Sequence, residues 1–124
     1  MKTILIVDSD LGFLASFSKS LSEAGYVTLP ATTGQTAITL LAELKNPNVD
    51  LLIVDLALPN TADLVTELKD RNHQLRIISW EGPGLNSDTN IQVDARLQKP
   101  SPSELGAEDQ WLGMVKQFLD DDAA

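Results

Sequence analysis

The chain has 124 residues, 43% of them hydrophobic, enough for one domain around a single core and too few for two. Eighteen Asp and Glu against nine Lys and Arg give a formal charge of −9, a field that repels phosphate backbones and anionic bilayers and argues against nucleic-acid and membrane partners. There is no cysteine, which excludes a disulfide scaffold, a thiolate zinc site and a thiol nucleophile, and fits a reducing cytoplasm.

Taken in chain order, the first aliphatic run, Thr3 to Val7, is stopped by Asp8. It is too short for a signal peptide or a bilayer span, so the expectation is a soluble cytoplasmic protein whose first element is a buried strand. Phe13, Leu14, Phe17, Leu21 and Ala24 then recur at a period near 3.6, predicting a helix begun by Ser9 or Asp10 as cap and ended by Gly25. Tyr26 to Leu29 reads as the second strand, and Ala37, Ile38, Leu41 and Leu44 mark the second helix, after Gly34. Asp50 to Leu56 reads as the third strand, followed by a shorter helical stripe of Leu64, Val65 and Leu68 that Asn60 or Thr61 can cap. Leu75 to Ser79 is the fourth strand and Asp94 to Gln98 a weaker fifth. Between them, EGPGLNSDTN (81–90) holds two Gly, one Pro and one large aliphatic residue, Leu85, where a fourth helix should lie. That helix is expected to be short or replaced by a loop. Ser101 to Glu104, SPSE, forms a capping box with Pro102 at the first helical position, opening a last helix whose buried stripe is Leu112, Val115, Phe118 and Leu119.

Continuous apolar runs that alternate with helices predict a single α/β domain over residues 1–124, with a parallel sheet covered by helices on both faces. In such sheets ligands gather at the carboxyl edge of the strands. Asp8 and Asp10 follow the first strand, Asp55 ends the third, Ser79 ends the fourth, and Lys99 with Pro100 ends the fifth. Carboxylates crowded at one edge repel one another unless a cation offsets them. The candidates are Lys99 and a divalent metal, for which Mg2+ is the natural choice because it takes one or two carboxylates and completes its octahedron with water and phosphate oxygens. The same set suits phosphoryl transfer, in which a carboxylate attacks phosphorus to give an acyl phosphate, metal and ammonium neutralise the equatorial oxygens, and a hydroxyl donates to one of them.

These residues resemble the receiver (CheY-like) domain of two-component response regulators. The likeness rests on the acids of IVDSD, on LLIVDLALP with Pro59 four residues past Asp55, on the hydroxyl of RIIS, and on QKP, and it covers nearly the whole chain. It implies a flavodoxin-like (βα)5 three-layer sandwich whose five-stranded parallel sheet has strand order 2-1-3-4-5. It further implies Asp55 as phosphoacceptor, Ser79 as hydrogen-bond donor to the phosphoryl group, Lys99 as its cationic partner, and a cis peptide before Pro100. Mg2+ would be the cofactor, held by Asp8, Asp55 and the Ala57 backbone carbonyl. Asp10 is a further candidate ligand, although helix capping accounts for it fully. The implied partners are a histidine kinase or histidine phosphotransfer protein and a downstream protein, in phosphorelay signal transduction.

Three positions depart from the family pattern. Ser9 stands where a second adjacent acid is usual, and a hydroxyl binds Mg2+ more weakly than a carboxylate. Trp80 follows the hydroxyl where a small residue is usual, and reads as a lid over the pocket or as an exposed interaction residue. Arg96 occupies the place of the aromatic switch residue, so hydroxyl-to-aromatic coupling cannot work in its usual form. A pseudo-receiver that binds a partner without phosphorylation is therefore the second expectation. A third is a haloacid-dehalogenase-like phosphohydrolase with Asp8 as nucleophile and Asp10 as general acid, which leaves Asp55 and Pro59 unexplained. His73 reads as a solvated loop residue, Trp111 as packing, and Asp120 to Asp122 as a fraying end.

Overall fold

A computed structural model describes residues 2–45, 47–81, 93–98 and 107–120. Five strands, β1 (Thr3–Val7), β2 (Val27–Ala31), β3 (Leu51–Val54), β4 (Arg76–Glu81) and β5 (Ala95–Gln98), form one sheet of order β2-β1-β3-β4-β5 with every pair parallel. Four helices accompany them: α1 (Leu11–Glu23), α2 (Gly34–Glu43), α3 (Thr61–Arg71) and α4 (Ala107–Asp120). Of the segment expected to lack a fourth helix, Glu81 ends β4 and residues 82–90 lie outside the described residues, as do the capping box at Ser101 and the Lys99–Pro100 peptide.

Alternation along the strands divides the core into two layers. Ile4, Ile6, Leu51, Ile53 and Ile78 pack beneath α1 and α4 with Leu14, Phe17, Leu21, Val115 and Leu119. Leu5, Val7, Leu52, Val54 and Ile77 turn the other way, onto Ala37 and Leu41 of α2 and Leu64 and Leu68 of α3. Successive residues of β1 and β3 are buried on opposite faces, which is why these strands read as unbroken apolar runs. Each fully buried aliphatic side chain contributes about 1.5–3 kcal/mol.

The ends of the elements follow local chemistry. Asp10 is the N-cap of α1, its Oδ1 accepting from the Phe13 amide at 3.1 Å. At the other end Gly25, at φ 100°, closes a Schellman turn in which Tyr26 N–H donates to the Leu21 carbonyl and Gly25 N–H to that of Ser22. Asp10→Ala should lower stability by about 1 kcal/mol in a denaturant titration, as loss of a side-chain cap does. An unchanged midpoint would refute the cap.

Several boundaries differ from the sequence expectation. β2 begins one residue later and runs on through Pro30, which an edge strand tolerates because alternate N–H groups there have no partner strand. Asp50 lies outside β3, its Oδ2 accepting the Thr3 amide at 2.8 Å; Asp94 does the same for Ile77 beside β5. Leu44, assigned to the buried stripe of α2, is the C-cap residue and is exposed. Asn60 stands at the N-cap of α3 but caps nothing with its side chain, because its left-handed backbone (φ 65°) departs from the extended geometry a cap requires. His73 is exposed, as expected.

Candidate functional site

The order β2-β1-β3 places the topological switch of the sheet between β1 and β3, and an acid follows each of those strands. Val7 pairs with Val54, so Asp8 and Asp55 are the next residues on neighbouring parallel strands. Both continue the ladder by one step: Asp8 N–H donates to the Ala31 carbonyl at 3.0 Å, and Asp55 N–H to the Val7 carbonyl at 3.1 Å. The backbone thus fixes two carboxylates side by side at the carboxyl edge.

Their surroundings differ. Asp8 is fully buried, and its Oδ1 accepts the Asp10 amide at 2.8 Å. Asp55 is half-buried. Its Oδ1 accepts the Ala57 amide at 3.0 Å, while Oδ2 makes no hydrogen bond among the described residues. Ser79 pairs in register with Val54, the residue before Asp55, and alternation puts it on the α2/α3 side with Ile77. Its hydroxyl is fully buried and has no hydrogen-bond partner among the described residues. An unpaired buried hydroxyl costs about 1–3 kcal/mol, a penalty that a ligand oxygen at this edge would relieve.

Of the residues singled out from sequence, the fold gathers Asp8, Asp55, Ala57 and Ser79 at one edge. Asp10 stands beside them as the α1 cap, and Ser9 is exposed between the two acids. Lys99 lies outside the described residues. Among the described residues no three His, Asp or Glu side chains cluster to hold a metal ion. The acids at this edge are the two carboxylates of Asp8 and Asp55, and Mg2+ is an ion that takes one or two carboxylates and keeps several waters rather than demanding an all-protein cage.

Trp80 departs from both expectations for it: it is neither a lid nor exposed. β4 continues past Ser79 to Glu81, pairing Trp80 with Leu97, so alternation turns the indole away from the acid edge and under α1. There it is 3% exposed, with ring centroids 5.9 Å from Phe13 and 5.4 Å from Phe17 in edge-on contacts. Arg96 is exposed and pairs in register with Ser79. Thr61, read from sequence only as a cap, instead donates its hydroxyl to the carbonyls of Leu56 (3.3 Å) and Leu58 (3.0 Å) in the loop after Asp55. No local pattern signals this, because both acceptors are backbone atoms set by the turn.

A parallel sheet of order β2-β1-β3-β4-β5, covered by helices on both faces and carrying paired acids at its β1/β3 switch, defines a flavodoxin-like architecture. The response regulator receiver domain model matches residues 4–100, and the chain belongs to that family. No curated protein matches the sequence. Among solved structures, a CheY-like response regulator receiver domain protein of Methanospirillum hungatei is 26% identical with a TM-score of 0.76, covering 98% of this chain and 95% of that one. The chemotaxis response regulator CheY4 of Vibrio cholerae is 20% identical (TM-score 0.73; 96% and 99% covered). The response regulator TrrA of Thermotoga maritima, solved in complex with Mg2+ and BeF, is 22% identical (TM-score 0.67; 96% and 100% covered). Family membership displaces the phosphohydrolase reading, whose general acid, Asp10, is here the helix cap.

Proposed function

We propose that the protein is a single-domain receiver that takes a phosphoryl group onto Asp55 from a histidine kinase or histidine phosphotransfer protein and passes the signal on through protein contacts. The observation that carries this reading is Asp55 itself. It is half-buried at the switch of the sheet, one carboxylate oxygen anchored by Ala57 N–H and the other without a hydrogen bond among the described residues. That second oxygen attacks phosphorus; the bond from phosphorus to the donor's imidazole nitrogen breaks, and the electron pair leaves with the imidazole. The Ser79 hydroxyl, buried and lacking a partner, donates to an equatorial phosphoryl oxygen. Asp8, Asp55 and the Ala57 carbonyl are the groups that would hold Mg2+, and the ion would supply the charge neutralisation that phosphoryl transfer requires. Lys99 is the cationic partner by family likeness. A cytoplasmic site of action accords with this reading; among the described residues no helix is long and apolar enough to cross a membrane.

Incubation with Mg2+ and a small-molecule phosphodonor tests it: the intact mass should rise by one phosphoryl group, and an unchanged mass overturns the phosphoacceptor role. A second reading, a pseudo-receiver that binds its partner unphosphorylated, is favoured by Ser9, which supplies a hydroxyl where a third carboxylate would strengthen the metal site. Ser9→Asp puts a charged ligand at an exposed position and should tighten Mg2+ binding about tenfold, as added ligand charge does. Isothermal titration checks this. If neither the wild type nor Ser9→Asp binds Mg2+, the pseudo-receiver reading prevails.

A further inference from the structure

The loop that follows Asp55 is clamped from two sides, and both clamps are particular side-chain choices. On one side stands Gly34, the first residue of α2. A Cβ built there would lie 2.5 Å from the Asn60 carbonyl oxygen, 2.6 Å from its carbon and 3.0 Å from the Pro59 oxygen, well inside the 3.4 Å at which ordinary contact begins. All three atoms are backbone, so no side chain can swing aside. The Asn60 carbonyl also accepts the first hydrogen bond of α3, from Leu64 N–H at 3.2 Å, and Asn60 sits in the left-handed region. On the other side Thr61, 3% exposed, donates its hydroxyl to the carbonyls of Leu56 and Leu58.

Neither helix can give way easily. Ala37 and Leu41 of α2 and Leu64 and Leu68 of α3 share one core layer, each at most 4% exposed. An added carbon at position 34 therefore displaces the loop more readily than it separates the helices. Within the loop, Ala57 N–H holds Asp55 Oδ1 and Leu58 N–H donates to the Asp55 carbonyl, so a shift at Pro59 and Asn60 is carried back to the carboxylate.

We propose that Gly34 and Thr61 are positioning residues for the phosphoryl-acceptor site: the close approach at Gly34 and the Thr61 hydroxyl together fix residues 56–60, so that the Ala57 carbonyl and the Asp55 carboxylate face the same point. This rests on the proposed function. Gly34→Ala and Thr61→Val should each weaken Mg2+ binding about tenfold, the low end for removing a group that orients a metal ligand. Both should slow phosphoryl uptake and move the amide resonances of Ala57 and Leu58 in the metal-free protein. Thr61→Ser, which keeps the hydroxyl, should behave as the wild type in all three. Folded variants with wild-type Mg2+ affinity and unmoved resonances overturn the inference. If Gly34→Ala does not fold, Thr61→Val against Thr61→Ser decides on the same readouts. A wild type that takes up no phosphoryl group overturns the proposed function instead, and the metal-free resonances still decide whether the two residues place the loop.

Discussion

Asp55→Asn is expected to abolish phosphoryl uptake while leaving the fold intact. The carboxamide is nearly isosteric, and its oxygen can still accept the Ala57 amide that Asp55 Oδ1 accepts at 3.0 Å, so the loop keeps its anchor. What is lost is the anionic nucleophile. The variant also removes one of two negative charges on adjacent strand ends, beside the fully buried Asp8, so its stability should match or exceed that of the wild type. Intact mass after exposure to a small phosphodonor with Mg2+ should show no added phosphoryl group, a loss of at least 100-fold in rate. A denaturant midpoint measured in parallel excludes unfolding as the cause. If Asp55→Asn still gains the group, the acceptor is another acid and the assignment fails.

The paired acids were legible in the sequence because each interrupts an unbroken aliphatic run, and a charge there can only mark where a buried strand emerges. Asp8 and Asp55 stand one residue past β1 and β3 for that reason. The parallel sheet followed from the same runs, and strand order came only with the family likeness. Where β4 ends was not legible. Its aliphatic pattern stops at Ser79, and the two residues that prolong it do so because β5 offers partners, Leu97 and Gln98, far along the chain. The close approach at Gly34 was hidden for a related reason. It depends on where the start of α3 falls against the start of α2, and the local pattern around Gly34 records only a helix. Ser79 lies between these cases: a hydroxyl after an apolar run suggests the site, but only its burial without a partner separates it from a serine bonded to local backbone.

Trp80→Ala should cost about 3–5 kcal/mol, the range for emptying a buried aromatic site. The indole is 3% exposed between the sheet and α1 and meets Phe13 and Phe17 edge-on, contacts that add about 0.5–1.5 kcal/mol to the area buried. Its Nε1 has no hydrogen-bond partner among the described residues, so the loss is one of packing and not of a polar contact. Trp80→Phe therefore separates the two contributions. It keeps a ring against α1 and removes the unpaired N–H, and should cost clearly less than Trp80→Ala. Against a total stability of about 5–15 kcal/mol, the alanine variant loses a large fraction, visible as a drop in denaturant midpoint with the slope unchanged. A lid over the phosphorylation pocket behaves in the opposite way, since its removal would speed phosphoryl uptake and leave the midpoint alone. A loss below about 1 kcal/mol, typical of a surface position, would place the indole outside the core. Because Trp80 and Ser79 are neighbours on one strand facing opposite sides, the packing beneath α1 also holds the strand that carries Ser79. The aromatic residue next to the site thus acts through the core, and its effect should be read first in stability.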